Sequence, residues 1–270
     1  MILSGRQQEL LNMIKEARTI RVQELIDTMS ASAATVRRDI AFLESEGLIF
    51  RTRGEVHLAA ADHAAVPPYY ARSTVHSQAK NQIARYALGL VEDNMNIAID
   101  SGSTTAAFAQ KLTERRLTVA TNSLDVSYIL AKSPSQVISC GGLLQSENMC
   151  FVGPEAQSFF SKIEVDIAFL GASGLRASAG LTTSSPLQYD IKRAILRAAN
   201  RRYVLMDSSK LLSSHLYVFA EFSEIDAIIT NAAAPGSEEA AVLQNLQDAG
   251  IQVTEMSQGC ICCSLVGDFG

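Results

Sequence analysis

Seven short apolar runs constrain the fold of this chain more than any other feature. They are Ile97-Ala98-Ile99-Asp100, Leu117-Thr118-Val119-Ala120, Val137-Ile138-Ser139, Ile167-Ala168-Phe169-Leu170, Tyr203-Val204-Leu205-Met206, Ala227-Ile228-Ile229-Thr230 and Ile251-Gln252-Val253. Polar loops bound each run and helical segments separate them. The first such segment carries Ile83, Ala84, Ala87, Leu88 and Val91 on one face. Strands that alternate with helices are joined by crossovers, so they run parallel and both sheet faces are covered. The expected class is α/β, with a largely parallel sheet in the larger part of the chain.

Small polar residues follow several of these strands. Asp100-Ser101-Gly102-Ser103-Thr104-Thr105 follows the first and opens a helix expected over Ala106 to Leu112. Thr121-Asn122-Ser123, Gly141-Gly142, Gly171-Ala172-Ser173-Gly174 and Asp207-Ser208-Ser209-Lys210 follow the next four. Open α/β sheets bind ligands at the carboxyl ends of their strands. The first loop suits an anion, with glycine for close backbone approach, hydroxyl donors and the unpaired N–H groups of a helix start. Lys210 supplies a countercharge. A single Gly-Gly or Ser-Gly turn is ordinary punctuation; the co-location of these loops at one sheet edge points to a small phosphorylated or polyhydroxy ligand.

The first 58 residues read differently. Leu10, Leu11 and Ile14 mark an amphipathic helix, a basic break follows at Arg18-Thr19-Ile20-Arg21, and Val22, Leu25, Ile26 and Met29 mark a second helix. Ser30-Ala31 turns into a third helix, with Ser32 placed to cap it and Val36, Ile40 and Leu43 as its buried stripe. Ala34, Thr35, Arg38 and Ala41 fall opposite that stripe and Arg37 on its flank. Small residues, a hydroxyl and two guanidinium groups suit a helix that enters a DNA major groove. Gly47 ends the helix, and residues 48–58 read as a two-stranded wing turning near Gly54, with Arg51 and Arg53 placed for phosphate contacts. This order is that of a winged helix-turn-helix. Residues 1–58 carry eight Lys/Arg against eight Asp/Glu, so the argument rests on where charge sits rather than on its sum.

The organisation expected is a DNA-binding domain over 1–58, a linker over 59–72 with Pro67-Pro68 inside it, an α/β sensing domain over 73–256 and an exposed tail over 257–270. The net charge of −5 belongs wholly to the part beyond residue 58, which argues against coating of nucleic acid by the whole chain. No run approaches the ~20 apolar residues of a membrane helix and no signal-peptide core is present, so a cytoplasmic, nucleoid-associated protein without membrane partners is expected. Five cysteines (Cys140, Cys150, Cys260, Cys262 and Cys263) do not make a disulfide framework, and Cys260-Ile261-Cys262-Cys263 lacks the paired spacing of a zinc site. No metal or cofactor is expected.

The chain resembles the DeoR family of bacterial sugar-metabolism repressors over roughly residues 6–253. The resemblance rests on Ser32-Ala33-Ala34-Thr35-Val36-Arg37-Arg38-Asp39 with Leu43, on Arg51-Thr52-Arg53-Gly54, and on Arg72, Lys80 and Ile83-Ala84. It continues through Asp100 to Thr105, Thr121-Asn122, Gly141-Gly142, Gly153, Gly171, Gly174, Thr182-Thr183, Lys192-Arg193-Ala194 and Asp207-Ser208-Ser209-Lys210. It implies a sensing domain similar to ribose-5-phosphate isomerase that binds a phosphorylated sugar as inducer. Ser101 to Thr105 would hold the phosphate, and Asp100, Asn122, Gly142, Gly174 and Lys210 would surround the sugar. Three features depart from the family. Glu55 stands where a second glycine usually follows Gly54, Pro186-Leu187-Gln188-Tyr189 lacks the glutamate that commonly precedes Lys-Arg-Ala, and the cysteine-containing tail has no counterpart.

The function expected is a repressor of a carbohydrate-utilisation operon, relieved by the sugar phosphate and acting on double-stranded operator DNA as a dimer or tetramer. Two alternatives stand beside it. One is an isomerase-like enzyme fused to a DNA-binding head, for which Asp100, Asp190 and Asp207 are the available bases, with no histidine in any candidate loop. The other is a body that only oligomerises.

Overall fold

The computed structural model describes residues 3–17, 19–45, 48–51, 54–58 and 69–256. The expected tail 257–270 and the first ten residues of the expected linker lie outside them. Two units divide the chain between Ser77 and Gln78. In the first, α1 (Gly5–Ala17), α2 (Val22–Thr28) and α3 (Ala33–Ser45) accompany β1 (Thr19–Arg21), β2 (Ile49–Arg51) and β3 (Glu55–Leu58). The apolar positions picked out by helical spacing meet in one core, in which Leu10, Ile14, Leu25, Val36, Ile40 and Leu43 are buried with Ile49 and Val56. The expected break after α1 is instead a strand. Thr19, Ile20 and Arg21 pair antiparallel with His57, Val56 and Glu55, so the wing is the outer part of a three-stranded sheet ordered β1-β3-β2. Gly54 takes the turn at φ +85°, a conformation glycine adopts without penalty. The end of the expected 59–72 linker is helical: α4 (Tyr69–Thr74) begins directly after Pro67-Pro68 and buries Tyr69 and Ala71.

The second unit contains α5 (Ser77–Leu88), β4 (Asn96–Ile99), α6 (Ser103–Ala109), β5 (Thr118–Thr121), α7 (Leu124–Leu130), β6 (Gln136–Ser139), β7 (Leu143–Gln145), β8 (Cys150–Val152) and α8 (Pro154–Phe160). It continues with β9 (Val165–Gly171), β10 (Gly174–Arg176), β11 (Gly180–Thr183), α9 (Pro186–Arg197), β12 (Ala199–Leu205), β13 (Tyr217–Ala220), β14 (Ala227–Asn231), α10 (Glu238–Asp248) and β15 (Val253–Met256). All seven expected strands lie in one parallel sheet ordered β15-β14-β12-β9-β4-β5-β6. One face carries the bulky Ile97, Ile99, Val119, Ile167 and Phe169 against α5, α6 and α7. The other carries Ala98, Ala120 and Ala168 on three neighbouring strands, small enough for α8 and α9 to pack close. Residues successive along a strand thus serve opposite cores, as a doubly covered sheet requires. Helix α6 starts three residues earlier than expected, at Ser103, so the hydroxyls of Ser103, Thr104 and Thr105 belong to its first turn.

Two small antiparallel additions complete the unit, the hairpin β7-β8 and the sheet β10-β11-β13. Strand order locates the crevice. From β4 the chain builds outward through β5 and β6, and from the adjacent β9 it builds the other way through β12, β14 and β15. Beyond the carboxyl ends of β4 and β9 the crossovers diverge, which is where open α/β sheets leave room for a ligand.

Candidate functional site

The DNA-facing candidates sit on α3 and the wing. Ser32 caps α3, its hydroxyl oxygen accepting from the Thr35 N–H at 3.3 Å and lying 2.8 Å from the Thr35 hydroxyl. Ala34, Arg37 and Arg38 are exposed and Thr35 is half-buried, so the face expected to enter a groove is open. Two ion pairs brace it from behind. Arg6 on α1 reaches buried Asp39 at 2.5 Å, with Gln7 donating to the same carboxylate at 3.3 Å. Arg51 at the start of the wing binds buried Glu44 through Nη2 at 2.5 Å and Nε at 2.8 Å, while its backbone N–H donates to Glu44 at 3.2 Å. Arg51 therefore also has a structural partner, which its sequence position did not signal. Arg53 lies outside the described residues.

The crevice at the switch point is built around Asp100, the residue directly after β4, whose side chain is fully buried. Its Oδ2 accepts from the Gly171 N–H at 3.1 Å and from the ammonium of Lys192 on α9. Lys192 Nζ also donates to the Gly171 carbonyl at 2.7 Å, so one lysine closes the gap between β4 and β9. Asp100 Oδ1 has no hydrogen-bond partner, and it is the only such buried side-chain oxygen or nitrogen among the described residues. Beside it, Asn122 Oδ1 accepts from the Ser101 N–H at 3.0 Å and its amide donates to the Phe151 carbonyl at 3.4 Å, fixing the loop after β4 to the loop after β5. Thr105 turns its hydroxyl back onto the Gly102 carbonyl at 2.9 Å.

Not every candidate glycine needs a ligand to explain it. A Cβ on Gly142 would lie 2.7 Å from the Val152 carbonyl oxygen, and one on Gly174 would lie 2.1 Å from that of Ser213, so close backbone approach already demands glycine there. Gly141 at φ +64° forms the turn between β6 and β7. Gly171 has room for a Cβ, with Ser101 O at 3.5 Å and Asp100 Oδ2 at 3.9 Å. Lys210 ends a 3₁₀ turn after β12, over Ser208–Lys210, and is half-buried.

Three residues of this crevice were not among the sequence candidates. Lys192 appeared only as part of a motif on an amphipathic helix, where a lysine usually covers a solvated face. Gln188, one turn earlier, is buried and accepts from the Thr183 hydroxyl at 3.1 Å. Cys150 is buried at the head of β8. Burial pushes its thiol up, the Ser101 hydroxyl opposes that shift, and the negative charge of Asp100 adds to it.

Comparison with known proteins bears on both units. Residues 6–61 match the DeoR-like helix-turn-helix domain and residues 75–232 the DeoR C-terminal sensor domain. The chain belongs to the DeoR family. As such it is a DNA-binding transcriptional regulator with an N-terminal winged helix-turn-helix and a C-terminal α/β sensor domain. This DeoR-family chain is 33% identical to the HTH-type transcriptional regulator IolR of Bacillus subtilis, over 84% of this chain and 90% of that one. It is 31% identical to the transcriptional repressor GlcR of the same organism, over 82% and 86%. With the L-fucose operon activator of Escherichia coli it shares 29% identity, over 84% and 95%. Among solved structures, ribose-5-phosphate isomerase A of Methanocaldococcus jannaschii aligns at a TM-score of 0.38 and 22% identity, covering 51% of this chain and 55% of that one. The probable sor operon regulator of Shigella flexneri aligns at 0.41 and 14%, covering 62% and 88%. Among the described residues no helix is long and apolar enough to cross a membrane.

Proposed function

We propose that this regulator represses a carbohydrate-utilisation operon and releases its operator when a phosphorylated sugar occupies the crevice beyond β4 and β9. The observation that carries the reading is the buried, unpartnered Asp100 Oδ1. A buried carboxylate oxygen without a donor costs roughly 1–3 kcal/mol or more, and a ligand hydroxyl removes that cost. Ser101 to Thr105 hold the phosphate, while Asn122, Gly141, Gly142, Gly171, Gly174 and Lys210 border the sugar. Relatives named for the L-fucose and aga operons support the substrate class. Ser32, Ala34, Thr35, Arg37 and Arg38 meet the groove, with Arg51 and Arg53 on phosphates. The domains run over 1–58 and 73–256, joined by 59–72. One head makes few base contacts, so the protein acts as a dimer or tetramer, in the cytoplasm.

Regulation without turnover is the consistent chemistry. Asp100 is engaged by Lys192 and Gly171, and the buried polar group beside Lys192 on α9 is the amide of Gln188, which cannot take up a proton. A thermal-shift screen of pentose and hexose phosphates tests the proposal. A true effector at 100 times its Kd adds about 2.7 kcal/mol of stability, and it must also weaken operator binding. If no sugar phosphate raises the melting temperature, or one does so without changing DNA affinity, the reading fails.

A further inference from the structure

The crevice offers an incoming molecule an uneven set of hydrogen-bonding groups. Its unpartnered acceptor is Asp100 Oδ1, fully buried. Its donors are in surplus. An ammonium carries three protons, and Lys192 Nζ commits two, to Asp100 Oδ2 and to the Gly171 carbonyl. Beyond these oxygens Nζ meets the ring of Phe219, whose centroid is 5.1 Å away. Gln188, one turn earlier on α9, commits its Oε1 to the Thr183 hydroxyl at 3.1 Å. Its bond to Cys150 is thus left to the amide nitrogen, and sulfur is a weak acceptor. Two donor side chains, one cationic and one neutral, therefore share this buried cluster with a single open acceptor. Charge points the same way. Asp100 and Lys192 cancel, Gln188 and Thr183 are neutral, and burial keeps Cys150 a thiol. Lys210, half-buried beyond β12, adds a cation at the same sheet edge. A carboxylate at position 188 would repel a second carboxylate, whereas an amide donates to one.

We infer that the effector is a phosphorylated sugar acid, and that Gln188 is the residue that selects it. The inference rests on the effector reading proposed above and narrows its ligand. The hydroxyl next to the acid donates to Asp100 Oδ1, and the carboxylate accepts from Lys192 and Gln188. A 2-hydroxy acid fits because Asp100 and Lys192 are in contact, so the group that gives a proton and the group that takes one belong on neighbouring carbons. An alcohol end presents one oxygen that already bears a proton. A carboxylate presents two that bear none, and each gains a charge-assisted bond.

The test is binding to the full-length protein, by calorimetry, of ligands that differ only at C1. One pair is 6-phosphogluconate and glucitol 6-phosphate; the shorter pair is 5-phosphoribonate and ribitol 5-phosphate. In at least one pair the acid is expected to bind about ten- to a hundredfold more tightly than the alcohol. Gln188→Glu, which keeps the shape and adds a negative charge, is expected to cut the acid's affinity by a similar factor and leave the alcohol's little changed. Gln188→Met, which removes the donors without adding charge, is the second variant should the first fail to fold, and it too should narrow the preference. An alcohol phosphate that binds while its acid binds no more tightly refutes the sugar-acid assignment and leaves a phosphorylated sugar as effector. A preference for the acid that survives in a folded Gln188 variant refutes the role of Gln188. If neither member of either pair binds, and no other sugar phosphate does, both readings fail.

Discussion

Replacing Lys192 by methionine keeps most of the side chain's bulk and removes its charge. Lys192 is 3% exposed and its partner Asp100 is fully buried, so water cannot take the lysine's place. Asp100 would keep the Gly171 N–H at 3.1 Å on Oδ2 and still nothing on Oδ1, leaving a buried carboxylate with a single donor. Breaking a buried pair from one side costs about 3–5 kcal/mol. For a unit of this size that corresponds to a fall in Tm of roughly 6–20 °C. Calorimetry of the full chain, following the transition of the sensing unit, measures it. Asp100→Asn combined with Lys192→Met removes both charges, and the double variant should recover most of the loss, lying within about 2 kcal/mol of the parent. A cost below about 1 kcal/mol for the single variant, or a double variant as unstable as the sum of its parts, would refute the reasoning.

Other outcomes follow from the same geometry. Arg38→Ala should weaken operator binding by roughly 1–3 kcal/mol with little change on random duplex, whereas Arg51→Ala should flatten the salt dependence and, by stranding buried Glu44, lower the melting temperature of the head. Both are read by fluorescence anisotropy at several salt concentrations alongside a melt. Gly142→Ala must hold an alanine at φ +111° with its Cβ 2.7 Å from a carbonyl oxygen, so a loss above about 1 kcal/mol is expected in thermal unfolding. Burial pushes the Cys140 thiol from 9.0 up to about 12. At pH 8 its thiolate is then on the order of a thousandfold scarcer than that of an ordinary cysteine, and peptide mapping after alkylation should find it protected. A thiol whose pKa is higher in the folded state leaves stability intact below pH 9 and erodes it as pH climbs towards 12, which unfolding curves at pH 8, 10 and 11 check.

What could be read from the sequence depended on what burial imprints on it. Strands such as β4 and β9, covered on both faces, are continuous apolar runs, and those runs alone recover the sheet. Strands β1, β7, β10, β11 and β13 span only three or four residues, too few for alternation to register, and β1 and β13 pair with strands more than thirty positions away. The loops of the crevice were legible because each follows a strand. Lys192 was not, because its partner is 92 residues away and a lysine at that helical position looks like any other. The ion pair of Arg51 was not legible either, although Glu44 is only seven residues away, because the two sit on different elements. Charge on a sequence does not say whether it is already spoken for.

The pairs Arg6–Asp39 and Arg51–Glu44 have a consequence for signalling. One bolts the first helix to the reading helix, and the other bolts the far end of that helix to the wing. Asp39 lies midway along α3 and Glu44 in its last turn, so the two pairs tie α3 to α1 on one side and to β2 on the other. In the repressor proposed above, an effector would then act by displacing each head as one body rather than by bending it.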